Sequence, residues 1–216
     1  MGLTAKSVMT ELILIRHGET DWNRRKCFQG QIDVPLNAFG LAQAERLAQR
    51  LAGENIDAMV CSDLARARQT AAPAAALLGL KPSYSAEFRE QGFGVLEGLT
   101  IDDIRNRHPT EFELWSRHDP DYELPGGAES QRRFHTRVMD AVHALAWQHQ
   151  GRRLVVVTHG GVLDAVYRMA LGQPLHGPRQ CEIPNAGFNL VRVRDGRVEI
   201  GAWADAAHLA DLEFAP

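Results

Sequence analysis

Two histidines in the sequence each follow an apolar run in the same local context. His17 comes directly after ELILI, residues 11–15, and His159 comes directly after RLVVVT, residues 153–158. A glycine follows each histidine, which lets backbone amides approach a ligand closely, and His159 opens a helical pattern whose N-terminus favours an anion. A single histidine of this kind is most often a loop residue. Two in matching contexts, one of them preceded by Arg16, predict a site that handles an anion.

Arginines that could bind such an anion follow a third apolar run. DAMVCS, residues 57–62, leads into SDLARARQTA, which places Arg66 and Arg68 in the first turns of a predicted helix. The helix dipole opposes a cation there, so these arginines gain nothing from local helix electrostatics. They are either solvated charges or include a guanidinium held for a phosphate, which it matches with two parallel hydrogen bonds. Because residues two positions apart lie on different faces of a helix, only one of them is expected to point inward.

Carboxylates surround a glycine-rich bend in the segment AEFREQGFGVLEGLT, residues 86–100. The segment holds Glu87, Glu90 and Glu97. Most carboxylates in such a segment are solvated, and none of the three would be evidence by itself. A site that transfers a phosphoryl group needs an acid close to the leaving oxygen, so the segment offers candidate proton donors.

The elements that must position these groups alternate along the chain. Apolar runs predict strands at residues 11–15, 57–62, 81–88 and 153–158. Strands that alternate with helices predict an α/β fold, a three-layer α/β/α sandwich with a mostly parallel sheet. The last two strand-like runs, GFNLVRVR and RVEIGAWAD, are joined at Asp195-Gly196, which predicts an antiparallel hairpin at one edge of the sheet. Ligands of such sheets bind outside the carboxyl ends of the strands, where both histidines are expected.

Helical periods predict four longer helices, over residues 40–53, 64–79, 129–148 and 160–172. Gly40 is expected to open the first, Pro73 to weaken or bend the second, and Ser130 to cap the third. Residues 99–128 contain two short helical patterns with little β character. We expect a single domain over residues 1–216 with this stretch as a small helical insertion, because no linker or repeat divides the chain.

The composition excludes several classes of protein. The 216 residues include 24 Lys and Arg against 27 Asp and Glu, which gives a formal charge of −3, and 44% are hydrophobic. These values are typical of one soluble globular unit, and no run of about 20 apolar residues predicts a membrane span. A protein with a net negative charge is not expected to have the broad basic surface that nucleic-acid binding needs. We therefore expect neither a nucleic acid nor a membrane as a partner.

Cysteine and histidine spacing predicts neither a disulfide framework nor a metal site. Cys27, Cys61 and Cys181 are odd in number and widely spaced, which is typical of free thiols in a reducing compartment. The first ten residues lack the apolar core of a signal peptide, so a cytoplasmic location is expected. The seven histidines other than His17 and His159 show no H-x-x-x-H or H-E-x-x-H spacing, so we expect no metal and no cofactor.

Four blocks occur in order along the chain: LIRHGET, SDLARARQTA, the pattern E-x-x-F-G-x-x-E-G from Glu90 to Gly98, and VVTHGG. Together they resemble the histidine phosphatase superfamily, in its phosphoglycerate mutase-like branch. The stretches DWNRRKCFQGQIDVPLNAFGLAQA and PGGAESQRRFHTRV are also similar to that family, although Ala128 is an extra residue before Glu129. The resemblance implies the family's phosphoglycerate mutase-like fold.

The resemblance also implies roles for the matching residues. His17 would be the nucleophile that forms a phosphohistidine, and Glu90 the acid that protonates the leaving oxygen and then activates water. Neighbouring guanidinium groups disfavour the imidazolium, which agrees with a neutral, nucleophilic His17. Arg16, Arg66 and His159 would hold the phosphoryl oxygens. Further candidates for phosphate or substrate contacts are Asn23, Gln29, Gly30 and Gly160.

Phosphatases and mutases of that family share this pocket. The mutases show an adjacent arginine pair in a longer insertion, whereas this chain has Ser116 beside Arg117 in a short one. The sequence therefore favours a phosphatase of small phosphate monoesters, with Arg117 as a remaining substrate contact. A cofactor-dependent phosphoglycerate mutase is the first alternative, and a non-catalytic phosphometabolite-binding module is the second. The expected partners are a small phosphorylated metabolite and the product inorganic phosphate; the ester itself, and whether the chain is a monomer or a dimer, stay open.

Overall fold

The computed structural model describes residues 8–212, which form one six-stranded sheet with helices on both faces. The strands are β1 (Thr10–Arg16), β2 (Ala58–Ser62), β3 (Ser83–Ser85), β4 (Arg153–Thr158), β5 (Phe188–Arg194) and β6 (Arg197–Asp205). The helices are α1 (Asp21–Arg24), α2 (Ala38–Leu51), α3 (Ala65–Leu78), α4 (Ile101–Arg107), α5 (Pro109–Ser116), α6 (Gln131–Gln148) and α7 (Gly160–Leu171). Short 3₁₀ turns occur at Ala86–Phe88, Gly94–Leu96 and Ala207–Leu209.

The order of strands across the sheet is β3-β2-β4-β1-β5-β6. The first four are parallel to one another, whereas β5 is antiparallel to β1 and β6 is antiparallel to β5. Asp195 and Gly196 form the tight turn of this edge hairpin with φ values of 50° and 73°, as a two-residue type I′ turn requires. The predicted mostly parallel sheet with an antiparallel edge hairpin is confirmed.

The position of β1 inside the sheet explains why its residues are apolar without alternation. Leu12 and Leu14 face the core beneath α6 and α7, whereas Ile13 and Ile15 face the core beneath α2 and α3. All four side chains are fully buried. A strand covered on both faces needs apolar residues at every position, so ELILI specifies a central strand of a three-layer sandwich.

Residues 99–128, called the insertion below, contain the two short helices α4 and α5. The insertion has a small core of its own around Ile104 and Leu124, against which Phe93 and Trp115 pack. Phe28, from the loop after α1, joins this cluster, with its ring centroid 5.1 Å from that of Phe93. The insertion therefore contacts the loops at the carboxyl end of the sheet.

One local expectation about the helices was wrong, and another was met in part. Helix α2 begins at Ala38 rather than at Gly40, because Asn37 caps it by accepting a hydrogen bond from the Gly40 amide at 2.8 Å. Gly40 is needed for another reason, since a Cβ there would collide with the backbone of Glu19. Helix α3 continues through Pro73, whose missing N–H leaves one helical hydrogen bond unmade while the helix stays packed against α2. The cap expected at Ser130 is present.

No helix within residues 8–212 is both long and apolar enough to cross a bilayer.

Candidate active site

The two histidines meet at the carboxyl ends of β1 and β4, which are neighbours in the sheet. Arg16 is the residue paired with Thr158, and the backbone N–H of His17 donates to the Thr158 carbonyl at 2.8 Å. The rings of His17 and His159 lie 5.2 Å apart, centroid to centroid. Adjacent parallel strands end at the same edge of the sheet, so residues far apart in sequence come together there.

His17 is held with one ring nitrogen bound and the other available. Its side chain is 3% exposed, and Nδ1 lies 2.7 Å from the carbonyl oxygen of Gly18. A carbonyl can only accept, so Nδ1 carries the proton and Nε2 keeps its lone pair. Burial, and after it the charges of Arg66 and Arg16, hold the pKa of His17 well below 6.5. The imidazole is therefore neutral near pH 7, as a nucleophile must be.

Two guanidinium groups adjoin His17. Arg16 donates from Nη1 to the Ile183 carbonyl at 2.8 Å, and its buried Nε has no partner among residues 8–212. Burial, and then the nearby charge of Arg179, lower the pKa of Arg16 to about 10, so it stays charged at neutral pH. A buried, charged N–H without a partner is costly unless a ligand satisfies it, which indicates an anion site.

Arg66 is completely buried, whereas Arg68 is exposed, so only one of the pair points inward as expected. The Arg66 side chain donates to the carbonyls of Gly30 at 2.7 Å and Ile32 at 2.8 Å. Burial lowers its pKa to about 10, which again leaves it charged near pH 7. These bonds use one N–H on each terminal nitrogen, and the second N–H of each is left for a phosphoryl oxygen.

His159 is bound to protein groups through both ring nitrogens. Nδ1 accepts from Arg66 Nε at 3.3 Å, and Nε2 lies 2.7 Å from the hydroxyl oxygen of Ser62. Because Arg66 can only donate, Nε2 is the protonated nitrogen and donates to Ser62. Burial, and then Arg66, hold the pKa of His159 well below 6.5. In this arrangement His159 orients Arg66, and it would have to leave Ser62 to donate to a phosphoryl oxygen.

Glu90 lies at the N-terminus of α7, on the wall of the same cavity as His17. The backbone N–H of Gly161 is 3.1 Å from both of its carboxylate oxygens, and the Gln91 amide donates to Oε1 at 3.0 Å. Oε2 has the fewer donors and is the oxygen with room for a proton. A Cβ on Gly161 would collide with Oε1 of Glu90, so glycine at this position is required for the contact.

The loop that carries Glu90 is held from behind by an ion pair. Arg137 and Glu129 form two hydrogen bonds of 2.7 Å each, and Arg137 also donates to the carbonyls of Glu87 and Arg89. Burial raises the pKa of Glu129, but its bonds to Arg137 outweigh that effect and keep the pKa below its usual value. The extra residue Ala128 has thus not separated Glu129 from the loop, because Glu129 also accepts from the amide of the neighbouring Gly92.

The further sequence candidates lie around this centre. Asn23, Gln29 and Gly30 line a cavity of about 330 Å³ together with His17 and Arg66. Asn23 uses its amide oxygen to cap α1, and the buried amide oxygen of Gln29 has no partner among residues 8–212.

The structure gives structural roles to the surroundings of the two glycine candidates, and the contacts of their amides with phosphate stay predictions. The Gly30 carbonyl holds Arg66, and a Cβ on Gly30 would collide with Glu97. Gly160 begins α7 beside Arg16, but the amide that is bound in this structure belongs to Gly161.

The family assignment rests on the sequence as a whole. Residues 12–206 match the profile of the histidine phosphatase superfamily, branch 1. The chain belongs to this superfamily. The resemblance drawn from the motifs is confirmed, and the matched residues span every element that builds the site.

Two curated relatives of this histidine phosphatase come from Arabidopsis thaliana. A metal-independent phosphoserine phosphatase is 37% identical over 216 residues, which cover 97% of this chain and 87% of the relative. A phosphoglycerate mutase-like protein is 37% identical over 208 residues, which cover 94% of this chain and 89% of the relative.

A solved structure, mycobacterial glucosyl-3-phosphoglycerate phosphatase, superposes with a TM-score of 0.80 at 29% identity, and the match covers 91% of this chain and 99% of that one. These names support a phosphatase that acts through histidine more than they support a mutase.

One sequence candidate is not brought to the site of this phosphatase. Arg117 follows α5 on the surface of the insertion, where its side chain is 61% exposed and pairs with Glu113 at 2.6 Å. The residue lies four positions after Glu113, so the two side chains meet on one face of the helix. The expectation that Arg117 contacts the substrate does not agree with this placement.

Two cations at the cavity were missed by the sequence analysis. Lys26 and Arg179 both line the cavity that contains His17. Lys26 stands in the stretch that resembles the family, among several basic residues, so a search for local basic clusters could have found it. Arg179 lies in the irregular loop between α7 and β5, where no motif or periodicity marks it. Within residues 8–212 no group of three or more His, Cys, Asp or Glu side chains could hold a metal ion.

The two buried neutral histidines make stability depend on pH. On unfolding, His17 and His159 become exposed and bind protons below about pH 6.5, whereas in the folded state their lowered pKa values keep them neutral. The unfolded state then holds more protons, so the free energy of unfolding falls as the pH falls below about 6.5, by up to about 1.4 kcal/mol per pH unit for each histidine. Urea denaturation at a series of pH values measures this slope.

A matched pair of variants separates these histidines from the rest of the protein. The slope should decrease in His17→Asn and stay unchanged in His176→Asn, which alters an exposed histidine. An equal slope in both variants and the parent protein would show that His17 is not a buried neutral group.

Proposed function

We propose that this phosphatase hydrolyses small phosphate monoesters through a covalent phosphohistidine on His17, with Glu90 as the general acid and then the general base. The observation that carries the proposal is the state of His17: a buried, neutral imidazole whose Nδ1 is fixed by the Gly18 carbonyl and whose ring lines the cavity. A lone pair on Nε2 beside two guanidinium groups is what in-line attack on phosphorus requires.

In the first step Nε2 of His17 forms a bond to phosphorus while the bond from phosphorus to the ester oxygen breaks. Glu90 gives its proton to that oxygen, so an alcohol leaves rather than an alkoxide. Arg16 and Arg66 bind the phosphoryl oxygens, whose charge spreads during the transfer, and this stabilisation is worth several kcal/mol per donor in sites of this kind. His159 enters the scheme by accepting from Arg66 Nε and thereby fixing its orientation.

In the second step the Glu90 carboxylate takes a proton from water, and the water oxygen attacks phosphorus. The bond between phosphorus and Nε2 breaks, which regenerates neutral His17 and releases inorganic phosphate. Glu90 is positioned for both steps by the Gly161 amide, and Arg137 holds its loop. The proposal therefore uses one carboxyl group twice, in opposite protonation states.

The protein should release phosphate from p-nitrophenyl phosphate, and turnover should be unchanged after dialysis against EDTA. The expected insensitivity follows from the chemistry, because the two arginines supply the positive charge that a metal ion supplies in other phosphatases. A loss of turnover in EDTA that added Mg²⁺ or Zn²⁺ restores would contradict this scheme. Absence of any phosphate release would favour a non-catalytic binding module.

No specific observation on the described residues supports mutase activity. The mutases of the family hold their substrate with an arginine pair in the insertion, and here Arg117 is turned to the surface and paired with Glu113. Incubation with 3-phosphoglycerate and 2,3-bisphosphoglycerate distinguishes the two activities. Isomerisation faster than phosphate release would assign a mutase instead.

We also propose a cytoplasmic location for this phosphatase. Cys27, Cys61 and Cys181 are all free thiols, and burial raises the pKa of the Cys61 thiol to about 12. Free thiols are typical of proteins from reducing compartments.

A further inference from the structure

The loop between α7 and β5 is fixed by a buried arginine that takes no part in the proposed chemistry. Arg168 is 3% exposed and forms an ion pair of 2.9 Å with Asp164. Its remaining N–H groups donate to carbonyls of the loop, those of Pro174, His176, Gly177 and Pro178. A guanidinium that binds so many carbonyls gives an irregular segment a defined course. The position of Arg179, the next residue, is defined in consequence.

Arg179 lies beside Arg16 on the wall of the cavity that contains His17. Both of its terminal nitrogens lie 3.5 Å from the point that a Cβ on Gly160 would occupy, and Arg16 Nε lies 3.5 Å from the same point. The two guanidinium groups are therefore within twice that distance of each other. Their mutual repulsion contributes to the lowered pKa of Arg16. Glu90 and Asp164 offset part of this repulsion, and a bound anion would offset more of it.

The N–H groups of the Arg179 side chain form no hydrogen bond with the residues that the structure describes, 8–212. Its contact with Asp164 Oδ1 is 3.8 Å long, beyond hydrogen-bond distance, and its side chain is 43% exposed. By contrast, the side chains of Arg16, Arg66 and Arg168 all donate hydrogen bonds to backbone carbonyls. A planar fork of free N–H groups matches a carboxylate or a phosphate.

Arg179 also lines cavities beyond the one that contains His17. It lines the cavity of about 330 Å³ that contains His17, and it lines a neighbouring cavity of about 250 Å³ bordered by Trp115 and Tyr122 of the insertion. Phe93 is the other side chain that belongs to both. Leaving-group atoms that extend past Arg179 would enter this second cavity, whose other charged lining residues are Arg168 and the carboxylates Asp119, Glu129 and Asp164. Lys26, by contrast, lines only the first of these two cavities.

We infer that Arg179 is a specificity-determining residue that binds a second anionic group on the leaving-group side of the substrate. This inference rests on the proposed phosphatase function and adds to it the class of ester: one whose alcohol carries a carboxylate or a further phosphate. The phosphoryl group that is transferred is bound by Arg16 and Arg66, which face His17 on the inner side of Arg179. A neutral alcohol would offer the Arg179 guanidinium no charge-assisted hydrogen bond beyond its long contact with Asp164.

The test compares esters that differ in one charged group. 3-Phosphoglycerate and glycerol 3-phosphate differ by a carboxylate, and fructose 1,6-bisphosphate and fructose 6-phosphate differ by a phosphate. Each is measured as a competitive inhibitor of p-nitrophenyl phosphate hydrolysis, so the readout does not depend on its own turnover. In at least one pair the more anionic member should bind about 10- to 100-fold more tightly, the effect expected of one charge-assisted fork. The pair that shows it identifies the anion.

The variant Arg179→Gln should abolish that preference, so that the two members of the pair inhibit it with similar constants. Because the two esters are compared within the same variant, a change in its kcat for p-nitrophenyl phosphate does not affect the comparison. Arg179→Lys, which keeps the charge and loses the fork, should retain part of the preference. Arg197→Gln, which changes the exposed first residue of β6, is the control for a loss of one positive charge elsewhere.

Three outcomes would overturn the inference: no preference in either pair, a preference that survives in Arg179→Gln, or an equal loss for all esters. The last would assign Arg179 to the transferred phosphoryl group. All three outcomes can be measured only if the parent protein hydrolyses p-nitrophenyl phosphate. If it does not, the phosphatase proposal itself has failed, and that result is distinct from these three.

Discussion

The variant His17→Asn is expected to lose turnover of p-nitrophenyl phosphate by roughly 10⁴-fold or more, the scale on which covalent catalysis fails when its nucleophile is removed. Asparagine can still donate an N–H to the Gly18 carbonyl, so the loop after β1 keeps its hydrogen bond while the nucleophilic nitrogen is lost. The arginines would remain and could still bind the ester. Binding of inorganic phosphate should therefore persist in a variant that no longer turns over.

Labelling with a ³²P-phosphate ester tests the same residue by its product. The parent protein should carry label after quenching in alkaline denaturant, which preserves the bond between phosphorus and nitrogen, and His17→Asn should carry none. His143→Asn changes a histidine on α6, outside the cavity that contains His17, and should label as the parent does. Label in His17→Asn, or turnover equal to that of the parent, would show that another group is the nucleophile.

The centre of the site was predictable because it is built from backbone positions that the sequence marks. An apolar run without alternation predicts a central parallel strand, and the residue after such a strand emerges at the ligand-binding edge. This reasoning placed His17 and His159 together although 142 positions separate them, and the structure brings their rings to 5.2 Å. The same reasoning selected one inward-facing arginine from the pair at 66 and 68, because their spacing puts them on different faces of one helix.

The periphery was not predictable because it depends on contacts between segments that carry no pattern. Glu90 could be chosen over Glu87 and Glu97 only by resemblance to a family, and its contact with the Gly161 amide follows from where α7 begins against the acid loop. Arg179 comes from a loop whose course is set by the bonds of a buried arginine, a tertiary effect that no periodicity reports. Arg117 is a different case, since its partner Glu113 lies four positions earlier, a spacing that the sequence itself displays, and the pair lies at the surface.

The variant Glu90→Gln is expected to separate the two halves of the reaction. With an alkyl ester such as glycerol 3-phosphate the first step needs a proton donor, so turnover should fall by about 10²- to 10⁴-fold, the usual contribution of a general acid. With p-nitrophenyl phosphate the leaving group is a stable anion and needs no proton, so the phosphoenzyme should form nearly as fast as in the parent. Its hydrolysis lacks the base, and phosphohistidine should accumulate as a burst of p-nitrophenol close to one equivalent per site.

Two further variants decide whether this behaviour belongs to Glu90 and to its position. Glu87→Gln changes the exposed carboxylate three residues earlier and should show neither the loss nor the burst. Gly161→Ala keeps the carboxyl group but places a Cβ where Glu90 Oε1 now lies, so it should reproduce the loss with the alkyl ester by displacing the acid. If Glu90→Gln lowers turnover of both esters equally and no burst appears, Glu90 acts in binding rather than in proton transfer. If Gly161→Ala retains full activity, the acid does not need the α7 amide to reach the leaving oxygen.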